Sequence, residues 1–267
     1  AALGIYGRAY NLMVMPASAF GRIVNRVLFP IMAQVQDQRH RLANAYERGL
    51  AIVAFISLPL SAFLWVVAPE FIPVILGPQW TEVVMPFRLF TISLLFRMAS
   101  KISDACIKAA GVVYSWAALQ FAYAGLVVVG AIIGQRWGVG GVAVCVSVAM
   151  GLDWLNMAYL SRKVTGLTWG RFVTAHLPAI CLAIVLGGGA ELGALAGRMA
   201  RLGPLAVLLV AGAVSLLAAG AAARLWPTLF LGPHGQWAVS QGQVLVRRRS
   251  AAVRPTDQPE PGISRPT

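Results

Sequence analysis

The chain has 267 residues, 58% apolar and only 12% charged, with a mean hydropathy of +0.73; a soluble domain carries roughly 25% charge, so an ordinary soluble enzyme is excluded. The formal net charge is +13, from 22 Lys and Arg against 9 Asp and Glu, yet the cations are scattered over loops and one tail. That scatter argues against nucleic acid as a partner and fits the cationic bias of membrane-protein loops facing anionic lipid.

Uncharged apolar runs recur along the chain, and a hydrocarbon core of roughly 30 Å takes about 20 helical residues per crossing. They predict an all-α integral membrane protein with about seven transmembrane helices, at about 5–35, 49–69, 83–108, 114–134, 139–161, 172–190 and 203–223. Strands are excluded because an open sheet edge cannot survive in lipid and the runs lack the alternation of a barrel. Pro16, inside the first and longest run, is expected to bend it, and Pro59 to bend the second. The 70–82 connection reads as short and apolar, with Glu70 and Glu82 its only charges. Past Pro227 the chain turns Pro-, Gln- and Arg-rich, which predicts a disordered tail over 227–267. Its Arg247–Arg249 run either touches anionic lipid heads or is simply solvated.

Counting Lys and Arg at alternate span ends gives an orientation. One side collects eight, Arg39, Arg41, Arg48, Lys108, Arg162, Lys163, Arg171 and Arg224; the other collects four, Arg8, Arg136, Arg198 and Arg201. By the positive-inside rule the first side is cytoplasmic, with the C-terminus on it and Arg198 and Arg201 dissenting. An odd number of spans then places Ala1 outside. No secretory leader opens the chain and it does not start with Met, so the reading expects further helices upstream.

Function is sought among the polar residues that survive inside the spans. In the third, Arg97, Lys101, Asp104 and Lys108 fall at i, i+4, i+7 and i+11, on one face of a helix. Charge at membrane depth costs at least about 2.5–3.5 kcal/mol, so the stripe should face a bundle interior or a watered cavity. Lys108 is expected to snorkel to the surface, with Asp104 neutralising a neighbour, and Arg97 to line a cavity. Arg22, Asn25 and Arg26 form a second cluster past Pro16. Its guanidinium groups suit a diphosphate, or else an ion pair with a helix outside the chain. Asp153 and Asn156 are the strongly polar pair of the fifth span; the carboxylate either answers an arginine or couples an ion. His176 reads as a satisfied interfacial histidine, and Cys106, Cys145 and Cys181 as small buried side chains without metal or redox spacing. No catalytic, nucleotide-binding or metal motif appears, so neither an enzyme, a cofactor nor a metal is expected. Gly187–Gly189 suggests close helix packing or a helix end rather than a phosphate loop.

The strings GIYGRAYNLMVMP, VLFPIMAQVQ, ILGPQWTEVVMPF and LFRMASKISDACIKAAGVVY resemble the C-terminal half of bacterial lipopolysaccharide and exopolysaccharide flippases, the polysaccharide-transporter branch of the multidrug/oligosaccharidyl-lipid/polysaccharide exporter superfamily. The likeness extends from about Leu3 to Arg171; beyond Phe172 only the two-span hydropathy pattern matches. It implies a second transporter lobe over 1–171, incomplete at its start, a terminal helix pair over 172–226, and alternating access against a missing N-terminal lobe. The implied substrate is an undecaprenyl-diphosphate-linked oligosaccharide, turned across the bacterial inner membrane. A cavity carrying Arg22, Arg26, Arg97 and Lys101, supported by Asn25, Asp104, Asp153 and Asn156, suits such a diphosphate by charge. A multidrug or ion-coupled exporter of the same fold would lean on Asp104 and Asp153 instead. A membrane polymerase of the same pathway would need an exposed catalytic loop.

Overall fold

The computed structural model describes residues 2–225; the tail expected over 227–267 lies outside the described residues. Regular structure among the described residues is helical throughout. Helix α1 (Ala2–Ile23) passes through a wide π turn (Val24–Leu28) into α2 (Phe29–Gln34), and α3 runs from Arg39 to Leu76. A 3-10 segment (Pro78–Val83) leads into α4 (Val84–Ile92) and α5 (Leu94–Ala109). Then come α6 (Val113–Gly134), α7 (Gly138–Thr165), the short α8 (Trp169–Thr174), α9 (Leu177–Met199) and α10 (Pro204–Leu225). The expected all-α membrane architecture is borne out.

The predicted features differ from the structure in three places. Five helical stretches are long and apolar enough to span a membrane, six when the bent pair around Ser93 is included. One of the five, Val113–Thr165, doubles back on itself. A Cβ built on Gly134 would lie 2.7 Å from the Cα of Val142, a contact that exists only because α6 and α7 fold antiparallel across the 3-10 turn Gln135–Trp137. Each arm, 22 and 28 residues, is long enough to traverse the core alone.

The irregularity in the first span sits beyond Pro16, through which α1 continues unbroken. It falls at Val24–Leu28, where the Phe29 N–H bonds Val24 five residues back. Pro30 follows and has no N–H to offer the Arg26 carbonyl, so the ladder widens there. Helix α3 likewise continues through Pro59, Pro69 and Pro73. The Trp65 carbonyl, which Pro69 cannot serve, accepts instead from Arg88 Nε at 2.9 Å. A side chain from the neighbouring helix thus repairs the backbone, as lipid requires.

The third span breaks at Ser93, whose N–H bonds Phe90 three residues back, and the two halves bend by 41°. Finally, most of the expected 70–82 connection is helical: α3 extends to Leu76, with Glu70 buried inside it.

The core lies between α1, α3, α4, α5 and α7, with Tyr46, Phe87, Phe90 and Met98 among its buried side chains. The Tyr46 and Ser103 hydroxyls meet at 2.9 Å and tie α3 to α5. Helices α9 and α10 dock on α3 through a separate small cluster, Val67, Ala194, Val207 and Ala211. Lipid tails are as apolar as leucine, so close backbone approach rather than hydrophobicity holds this pair together. A Cβ on Gly193 of α9 would meet the Cα of Ala211 in α10 at 2.7 Å, whereas one on Gly188 meets nothing within 4 Å. Within the Gly187–Gly189 run itself, Gly189 is packed in the same way, a Cβ there standing 2.9 Å from the Cα of Ser215, and Gly188 is not. Gly193→Leu should therefore lower the thermal midpoint of the detergent-solubilised chain by several degrees, while Gly188→Leu leaves it within about a degree; equal midpoints would show that α9 and α10 do not touch as described.

Candidate functional site

The charged stripe of the third span lands on one face of α5 because its i, i+4, i+7 spacing survives the break at Ser93, which lies upstream of it. That face lines a cavity of about 290 Å³. Arg97, Lys101, Asp104 and Lys108 form one wall; Tyr10 of α1, Trp116 and Tyr123 of α6, and Asp153 of α7 close the others. The cations are held in different ways. Lys108 Nζ lies 3.0 Å from the Asp104 carboxylate and 4.1 Å above the Trp116 ring centroid, its side chain 37% exposed, so Asp104 answers its charge. Arg97 lies with its guanidinium carbon 5.3 Å from the Tyr10 ring centroid. The Lys101 stem passes Gly21 of α1, where an added Cβ would stand 3.8 Å away.

Asp153 is buried, and its Oδ1, like Ser100 Oγ and Trp116 Nε1, has no hydrogen-bond partner among the described residues. All three residues line the cavity. Unanswered polar atoms beside cations are what a polar guest would satisfy.

The remaining predicted residues fall elsewhere. Arg22, Asn25 and Arg26 are exposed and do not line the cavity, because the inward face of α1 and the π turn is taken by Ala9, Met13, Ala17, Gly21 and Val24. Asn156 is exposed and also outside the lining, although Asp153 one turn earlier is buried. His176 is buried and only half satisfied: its Nδ1 donates to the Phe172 carbonyl at 2.8 Å, while its Nε2 has no partner among the described residues. The three cysteines are free.

Sequence reasoning missed two ion pairs that clamp α3 to the last third of the chain. Arg198 of α9 grips Glu70 with two nitrogens, Nε at 2.8 Å and Nη2 at 3.0 Å. Arg171 of α8 pairs with Glu47 and donates to the Asn44 side chain at 2.8 Å. The signal for the first was present: Arg198 dissented from the charge count on a side whose connection held only Glu70 and Glu82. An arginine on the unfavoured side is tolerated when a carboxylate neutralises it.

A helical membrane bundle around a charged internal cavity is the class this geometry defines, and comparison with known proteins agrees. Residues 1–85 match the family model described as "Polysaccharide biosynthesis protein". Over 94 residues the chain is 33% identical to the lipopolysaccharide biosynthesis protein WzxC of Escherichia coli (strain K12), covering 35% of this chain and 19% of that protein. Over 110 residues it is 28% identical to the teichuronic acid biosynthesis protein TuaB of Bacillus subtilis (strain 168), covering 41% and 23%. The matches thus span about a fifth of the relatives' length. The fold is shared with the solved structure of the lipid II flippase MurJ in its inward closed conformation, at a TM-score of 0.58 and 16% identity, over 84% of this chain and 47% of that one. The resemblance to bacterial polysaccharide-biosynthesis membrane proteins seen in the sequence is borne out.

The cavity's polarity can be measured one residue at a time. Gln120 lines it, while the next residue, Phe121, is 80% exposed on the apolar outside of α6. In a chain freed of its native cysteines, Gln120→Cys should react with a charged, water-soluble thiol reagent at least about tenfold faster than Phe121→Cys, because only a hydrated thiol ionises. Equal rates would show that the cavity is dry.

Proposed function

We propose that the chain supplies one lobe of a transporter that moves a lipid-linked oligosaccharide, carried on undecaprenyl diphosphate, across the bacterial inner membrane. The observation that carries this reading is the cavity itself, in which Arg97 lies over the Tyr10 ring and neither Arg97 nor Lys101 forms a salt bridge among the described residues. A diphosphate cannot enter hydrocarbon bare, and a planar guanidinium stays ionised there and binds oxygen pairs. The lipid tail meanwhile would remain in the bilayer. Support for a second lobe comes from the share of the flippase structure matched, 47%, and from the exposed cations Arg22 and Arg26, which we assign to the face opposite that lobe. Movement of one lobe against the other would then open the cavity to each side in turn.

A second reading rests on Asp104 and Asp153, which share the cavity with the cations. An ion-coupled exporter of the same fold would use these acids to bind a proton or metal cation. The two readings separate at Arg97.

In the complete transporter, Arg97→Ala should abolish polysaccharide export with membrane abundance near normal, and Arg97→Lys should restore it only in part, since an ammonium lacks the bidentate fork. Lys108→Gln should cost less, because Asp104 already answers that charge. Normal export by Arg97→Ala would remove the diphosphate reading; loss of the protein together with export would mark Arg97 as structural. For orientation, single cysteines at Gln38 and Thr168, both exposed, should label from the cytoplasm and one at exposed Gln79 from the periplasm. The inverse pattern would overturn the positive-inside assignment.

A further inference from the structure

A second, larger opening of about 400 Å³ lies at the end of the bundle where α2 hands over to α3, α5 to α6, and α7 finishes. Its polar lining is Arg39, Lys163, Gln36 and Ser115, and its floor is apolar, Leu42 and Val164 among others. It sits about one turn beyond the inner cavity. Ala110 caps α5 two residues past Lys108, Leu160 follows Met157 in α7, and Ser115 adjoins Trp116 in α6.

Neither Arg39 nor Lys163 makes a salt bridge or hydrogen bond among the described residues, and both side chains are exposed. Asp37, on the adjoining connection, does not line the opening. The donor set is therefore a guanidinium fork, an ammonium, a hydroxyl and an amide, with no carboxylate among them. Planar oxygen pairs suit the first and a point charge the second. Helices α3 and α6 both begin here, which adds the positive ends of their dipoles.

Depth identifies the class of anion. Tyr114, 94% exposed, and Tyr159, 54% exposed, flank the opening beside Ser115 and Leu160. Exposed tyrosines at the ends of apolar helices mark the level of lipid headgroups. An apolar floor beneath cations at that level fits an amphiphile, whose phosphate meets the charges while its chain lies along the helices.

We propose that this opening is a binding site for the phosphate of a membrane lipid, separate from the inner cavity and independent of the substrate assigned to that cavity. The phosphate belongs either to a bulk anionic phospholipid or to a polyprenyl diphosphate, and the chemistry at Arg39 and Lys163 is shared. The full 267-residue chain, delipidated in detergent, is titrated by native mass spectrometry with phosphatidylglycerol, undecaprenyl diphosphate and inorganic phosphate in separate arms. Arg39→Gln/Lys163→Gln should weaken lipid binding at least about tenfold, the loss expected for charge-assisted hydrogen bonds. The charge-preserving Arg39→Lys/Lys163→Arg should retain it, and Arg97→Ala, which alters only the inner cavity, should leave phosphatidylglycerol binding unchanged. Loss for both lipids supports a general headgroup site, and loss for the diphosphate alone supports a site for the carrier lipid. Undiminished binding by the double Gln variant, or equal loss in the charge-preserving variant with an unchanged thermal midpoint, overturns the proposal. Binding of inorganic phosphate without either lipid overturns the lipid assignment.

Discussion

Charge inside a low-dielectric bundle must be answered where it stands, and α3 is where that requirement shapes the rest of the molecule. Its buried carboxylates Glu47 and Glu70 are 23 positions apart, about 35 Å along a helix at about 1.5 Å per residue, close to the thickness of a hydrocarbon core. Arg171 meets the first and Arg198 the second. Each carboxylate thus stands near one water boundary, where ionisation is tolerable. The α8–α9 segment is pinned at both ends of the same mast, and α10 follows because small residues on α9 allow its backbone close. A single pair would fix one contact and leave α9 free to swing. Two pairs fix both position and tilt.

Backbone groups obey the same rule as charges. The prolines of α3 each remove a donor from the ladder, and at Pro69 the exposed carbonyl is served by Arg88 from α4. This arginine is engaged on a neighbour's backbone and beside the Trp65 ring, its guanidinium carbon 5.9 Å from the centroid. Arg97, by contrast, stacks on Tyr10 and lines open space. Two arginines nine positions apart therefore do different work, and the difference is the presence of a proline one turn past a carbonyl in another helix.

The cavity combines what α5 and α7 could not supply alone. Helix α5 brings cations and one acid; α7 brings a single buried acid, Asp153, across from them. Because the aromatic residues Tyr10, Trp116 and Tyr123 provide much of the remaining wall, the charges sit against rings whose faces favour cations. Such a lining holds positive charge without cancelling it by a full complement of carboxylates, which leaves capacity for an anionic guest.

Much of this was legible in the residues. Length and hydropathy of the runs determined the membrane class, because the bilayer sets the length of a crossing; helical period determined that Arg97, Lys101, Asp104 and Lys108 share a face, because it is local geometry; and the ordered strings carried the family resemblance. Other features depended on which helices become neighbours. Periodicity could show that Arg22 and Arg26 share a side of their helix, but not that the inward side belongs to Ala9, Met13, Ala17 and Val24. It could mark Asp153 and Asn156 as a polar pair, but a step of three residues turns a helix by about 300°, enough to leave one buried and the other exposed. The Glu47–Arg171 and Glu70–Arg198 pairs join residues 124 and 128 positions apart, and only packing decides such partners. Sequence alone states the local period and the cost of charge in lipid; the tertiary structure decides where that cost is met, because pairing is a property of neighbours and not of the chain.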